Sequence, residues 1–209
     1  MPDPLVLAGL LLVLTPLVGS VPVWYPPLIP AWTATREDHI ALVGAHRRAW
    51  RLANAGFVLA TIGTASGLAT LAAALLPDDP RPAAAVAALA VAYAMAGVPW
   101  LAVLAIRSRT IPALDDLGAT AAPADHAEIL LGAATGGLFA AFVLATGPVL
   151  VLLSVVLAAS GIVAVPVAII AALIAAVGTG SQLVNGDTIP AVLYPPTMLL
   201  GIALLAGWT

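Results

Sequence analysis

The sequence predicts an all-α fold, a polytopic membrane helix bundle of six transmembrane helices that forms one integral-membrane domain over 1–209. Three observations carry this expectation. Hydrophobic residues make up 62% of the chain and charged residues 8%, with a mean hydropathy of +1.11, whereas a soluble domain has roughly a quarter of its residues charged. Apolar stretches recur at about the 20 residues that a helix needs to cross a bilayer core. The ionisable residues fall between these stretches, and none sits near the middle of one.

The first span covers 5–24. Asp3 is the only charge before it. A cleaved signal peptide would have a basic start, so this segment reads as a retained helix. A Pro-rich aromatic stretch follows, with Trp24, Tyr25, Pro26, Pro27 and Trp32. Thr35 then suits an N-cap with Asp38 three residues on. The next helix reads as unbroken from 36 to 76. Its charged part, 36–51, is expected to extend beyond the bilayer as an interfacial helix, with Trp50 at the boundary and 52–76 as the second span. Asp78, Asp79, Pro80 and Pro82 make a tight connection to the third span, 83–106. A loop over 107–124 precedes the fourth, 126–160, with Pro148 as an expected kink. Ser160 and Gly161 are the break before the fifth, 163–177. A polar connection over 178–187 leads to the sixth, 189–208.

Arginine placement orients this bundle. Arg36, Arg47, Arg48, Arg51, Arg107 and Arg109 fall on one side and Arg81 on the other. That bias puts the first group in the cytoplasm of a cell (inner or plasma) membrane, with both termini outside. Ile-Pro-Ala occurs at 29–31, 111–113 and 189–191. Each copy falls on the arginine side, which would fit duplicated hairpins or a low-complexity chain matching itself.

Composition excludes several chemistries. There is no cysteine, hence no disulfide or thiolate site. All seven basic residues are arginine, so no lysine is present to form a Schiff base. A net charge of −3 without a basic run gives nucleic-acid binding no support. Walker, nucleophile-elbow, zincin and dinucleotide signatures are absent. An interior without ionisable groups weighs against an ion-coupled pump.

Three sets of residues stand out. His39 and His46 share a face of the expected continuous helix with Val43 and Trp50. His126 and Glu128 open the fourth span on the same side, and together the four residues could hold a metal ion of the zinc or iron type. The same groups also suit solvated helix ends. Arg47, Arg48 and Arg51 beside Trp50 could bind anionic lipid headgroups or simply set topology. Gly63 with Gly67, and Gly132 with Gly136, are small-xxx-small pairs that would let the second and fourth spans pack closely.

The sequence therefore favours a non-enzymatic membrane protein, either an accessory or scaffold subunit or a lipid-facing binding protein. No cofactor is predicted. The partners are the lipid bilayer and a membrane-protein partner or second copy. One alternative is a membrane enzyme or metalloprotein using the interfacial histidines. Another is a facilitator of a small neutral solute.

Overall fold

The computed structural model describes residues 3–32, 36–117, 122–186, 188 and 190–208. Among these there is no strand. Seven helices run α1 Pro4–Ser20, α2 Arg36–Ala45, α3 Arg47–Leu75, α4 Pro80–Leu117, α5 Ala122–Ala159, α6 Val165–Asn185 and α7 Tyr194–Ala206. Short 3₁₀ segments lie at Val21–Trp24, Pro26–Trp32 and Pro190–Leu193. Five stretches are long and apolar enough to cross a membrane: Pro4–Trp24, Arg47–Leu75, Pro80–Ala113, Ile129–Ala159 and Val165–Asn185. This makes the chain a multi-pass membrane helix bundle. The sixth expected span is instead α7, a helix of 13 residues. Pro190, Pro195 and Pro196 lack the backbone donors that would carry a helix back to residue 189, so the segment enters through a 3₁₀ turn.

From α3 onward consecutive helices pack side by side, α1 packs on α3, and α7 returns to lie between α1 and α6. The closest crossing is α1 with α3. A Cβ on Gly19 would collide with the carbonyl oxygen of Gly56, and the reverse holds for Gly56. Backbones that approach this closely trade side-chain volume for van der Waals contact, the main attraction between helices in lipid. Further along the same crossing, Gly63 meets Thr15, and Gly67 meets Leu12 and Leu11. These two glycines thus receive α1 and not α5. Gly132 and Gly136 have open space beside them, because that part of α5 lies on the bundle's outside.

Three further expectations are corrected. The helix from 36 is not continuous. His46 has φ −123° and ψ 36°, which ends α2 and starts α3. The break is stabilised where it occurs: Arg47 Nε donates to the Gly44 carbonyl at 3.2 Å, an acceptor that a continuing helix would have used itself. Folded back at this joint, α2 packs on α4 and on the 3₁₀ segment Pro26–Trp32, with Ile40 and Val43 buried. It does not project. The loop expected from 107 is helical as far as Leu117. The polar connection expected from 178 is helical as far as Asn185, where Gly186, at φ 70°, supplies the left-handed cap. The break after the fourth span is confirmed: α5 ends at Ala159, and Gly161, at φ 66°, turns the chain. Thr35, the expected N-cap, lies outside the described residues. The Ile-Pro-Ala copies at 29–31 and 111–113 adopt a 3₁₀ segment and an α-helix respectively.

Candidate functional site: a graded groove between α3 and α4

The two helices run antiparallel, and the arginine end of the bundle is where they meet α2. Trp50 fixes this junction. Its side chain is fully buried, its indole N–H donates to the Arg107 carbonyl at 3.0 Å, and the Arg107 guanidinium lies 5.1 Å from its ring centroid. His39 packs edge-on against the same ring at 5.4 Å. Trp50 is therefore a buried pin and not a boundary marker; Trp24, 65% exposed, has the exposure of one. Tyr194, at the start of α7, is also buried.

Beside this pin a cleft of about 630 Å³ opens between facing stripes of the two helices. From α3 come Arg47, Arg51, Asn54 and Val58; from α4 come Asp116, Arg109, Ser108 and Leu101. Spacings of three and four on α3, and of seven on α4 with Ser108 and Arg109 side by side, place each set on one helix face. Because the helices are antiparallel, the lining is graded with depth. Its mouth is charged. Arg51 comes one turn in from Arg47 and Arg109 two turns in from Asp116, then Asn54 and Ser108. The floor is Ala55, Ala105, Leu104, Val58 and Leu101.

At the mouth Arg47 grips Asp116 with both terminal nitrogens, at 2.6 and 3.1 Å. The Arg47 hydrogen bond is the largest influence on the Asp116 carboxyl and holds it below the ordinary carboxylate range. The pair neutralises itself. Among the described residues neither Arg51 nor Arg109 has an ion-pair partner, so two guanidinium groups remain one to two turns inside. Asn54 and Ser108 are satisfied by their own helices, through Nδ2 to the Trp50 carbonyl at 2.8 Å and Oγ to the Ala105 carbonyl at 2.9 Å.

Comparison with known proteins gives no match. No known protein family, no curated protein sequence and no solved structure matches this chain.

Of the sequence-picked arginines, Arg47 and Arg51 line this groove. Arg48 lies instead in a second cleft of about 620 Å³ with Trp24, Tyr25, His46 and Leu52. Arg109, which the sequence places in a loop, completes the groove because α4 runs on as a helix past Ile106. The histidines part company: His39 is on Trp50, and His46 is edge-on to Tyr25 at 6.1 Å. The side chains of His126 and Glu128 lie outside the described residues. Among the described residues no three His, Asp or Glu side chains gather as a metal site.

Proposed function

We propose that this multi-pass membrane protein is a non-enzymatic binding protein whose α3–α4 groove takes the anionic head of an amphiphile. The single observation that supports this is the gradient. Two guanidinium groups with no ion-pair partner among the described residues stand one to two turns inside a charged mouth, and an apolar floor continues beneath them. An acidic headgroup would meet Arg51 and Arg109, while its chain would lie along Val58 and Leu101. Arginine suits this task because its planar fork binds phosphate or carboxylate through two parallel hydrogen bonds. In this reading the arginine end faces the cytoplasm, as the six-to-one bias of basic residues argues, where anionic lipid attracts basic segments.

Native mass spectrometry of the gently extracted protein tests the proposal. Phosphatidylglycerol should remain bound under conditions that strip phosphatidylcholine. The Arg51→Gln/Arg109→Gln double variant should lose that preference, and Arg48→Gln should keep it. Equal retention of the two lipids, or a double variant with unchanged preference, overturns the assignment.

A second reading, a subunit that docks through helix contact, is supported by α5. Gly132 and Gly136 present open backbone there, and Ile129 and Leu130 are exposed beside them. A strictly monomeric particle with no co-purifying protein would remove it.

A further inference from the structure

The second feature lies deeper, and its polar atoms are of a different kind. In this bundle several buried or half-buried hydroxyls bond their own helix, as such side chains ordinarily do. Thr61 Oγ1 donates to the Phe57 carbonyl at 2.9 Å, Ser154 Oγ to that of Leu150 at 2.9 Å, and Thr179 Oγ1 to that of Ala175 at 2.9 Å. Five buried polar atoms have no hydrogen-bond partner among the described residues: Thr64 Oγ1, Tyr93 OH, Trp100 Nε1, Thr146 Oγ1 and Gln182 Oε1. The residues carrying the first four are fully buried, and Gln182 is 7% exposed.

These atoms are not scattered. Thr61 packs on Gly97, the Trp100 ring stacks on Phe142 at 5.4 Å, Thr179 packs against Gly147, and Gly178 touches Leu193 next to Tyr194. That chain of contacts sets α3, α4, α5, α6 and α7 in register. It places all five atoms in one layer across the bundle, about 10 Å thick along α4 from Tyr93 to Trp100. Thr61 lies about 15 Å along α3 from Arg51, which is half of a roughly 30 Å hydrocarbon core. Tyr93 neighbours both Thr64 and Tyr194, and Tyr194 neighbours Trp100, yet Tyr93, Thr64 and Trp100 reach no hydrogen-bond geometry. Polar groups that face one another without a hydrogen bond between them are a usual seat of a bridging molecule. In lipid a polar group left unpaired has no bulk water to turn to.

We propose that this mid-membrane layer binds a small neutral hydrogen-bonding molecule, either water or a hydroxylic solute of the same chemistry. The layer holds donors and acceptors together: the Trp100 indole only donates, Gln182 Oε1 only accepts, and the three hydroxyls do both. It contains no charge, so an ion is poorly served. The site is independent of the α3–α4 groove, and either can fail alone.

The test is indole exchange in the full chain, reconstituted in lipid nanodiscs with ¹⁵N-labelled tryptophan. The Trp100 signal is assigned by its loss in Trp100→Phe. Trp50, whose N–H is held by the Arg107 carbonyl, is the internal reference. Solvated Trp100 Nε1–H should exchange with water at least about ten-fold faster than Trp50. Exchange no faster than Trp50 overturns the proposal. Added glycerol then separates the sources: a shifted Trp100 resonance means that the solute enters, and an unshifted one means that water is the occupant. Tyr93→Phe gives a check without spectra. Losing a bridged hydroxyl lowers the melting temperature, whereas an unchanged or raised one means a dry, orphaned group and overturns the proposal.

Discussion

Asp116 and Arg47 tie the ends of α4 and α3 together through one bidentate contact. The Asp116 carboxyl is held below its ordinary value chiefly by the Arg47 hydrogen bond, with desolvation opposing and the Arg47 charge adding. A depressed folded value fixes the sign of the pH dependence. The stabilisation is present above the unfolded carboxylate value of about 3.9 and disappears as pH falls through the folded value. Asp116→Asn should therefore melt slightly below the parent at pH 7, and the two melting curves should converge as the solution is acidified below pH 4. A gap that persists in acid would point to packing instead. Trp50 is the sterner case. Trp50→Phe removes the donor to the Arg107 carbonyl and the ring under its guanidinium. A loss of about 1–2 kcal/mol is expected for a buried acceptor left unpaired, read by denaturation in detergent. Neither partner was legible in the sequence, because both contacts depend on α4 running helical to Leu117 and on α2 folding back.

Helix contacts divide into those that sequence spacing reveals and those that it cannot. Gly63 and Gly67 were marked by a small-xxx-small spacing, and they do pack closely, but on α1. The motif reports a helix face without naming its partner. Gly19 and Gly56 stand in no glycine-xxx-glycine pair, yet among the described glycines they bring two backbones into the closest contact. Gly56→Ala must push its methyl against the Gly19 carbonyl, a rigid backbone atom, at a cost of about 1–3 kcal/mol or more. Gly136→Ala meets nothing within 4 Å. It should leave stability unchanged or raise it slightly, since alanine is the better helix former. Parallel melting curves of the two variants check both outcomes, and equal losses would contradict this packing. The α2–α3 joint was hidden for another reason. Hydrophobic periodicity continues through His46, and only the side-chain bond from Arg47 to Gly44, together with the burial of Ile40 and Val43, favours a break.

At the scale of the whole chain, hydropathy made the spans legible because lipid imposes one length on every crossing. The groove and the mid-membrane layer were legible only in part. Arg47 and Arg51 stood out as charges, but Tyr93, Trp100 and Thr146 look like ordinary apolar-span residues until the register of several helices is known. That register also places the described chain ends. Gly9 of α1 lies against Gly201 and Leu205 of α7, and the Ala164 amide donates to the Trp208 carbonyl at 2.8 Å. Residues 4 and 208 thus share the end of the bundle opposite Arg47 and Asp116. The deciding element is α7. Its 13 residues, with the 3₁₀ turn before them, span about 27 Å at roughly 1.5 and 2.0 Å per residue. That is close enough to a core of about 30 Å for α7 to serve as a sixth crossing with slight local thinning. Reporter fusions after residue 208 and after residue 117 should accordingly give opposite signals, with the 117 fusion cytoplasmic by the arginine bias. Equal signals would mean that α7 enters and leaves by one face, and the short helix would then be a re-entrant one. Opposite signals of reversed sign would keep six crossings and invert the bundle, which would move the Arg51–Arg109 pair to the outer leaflet.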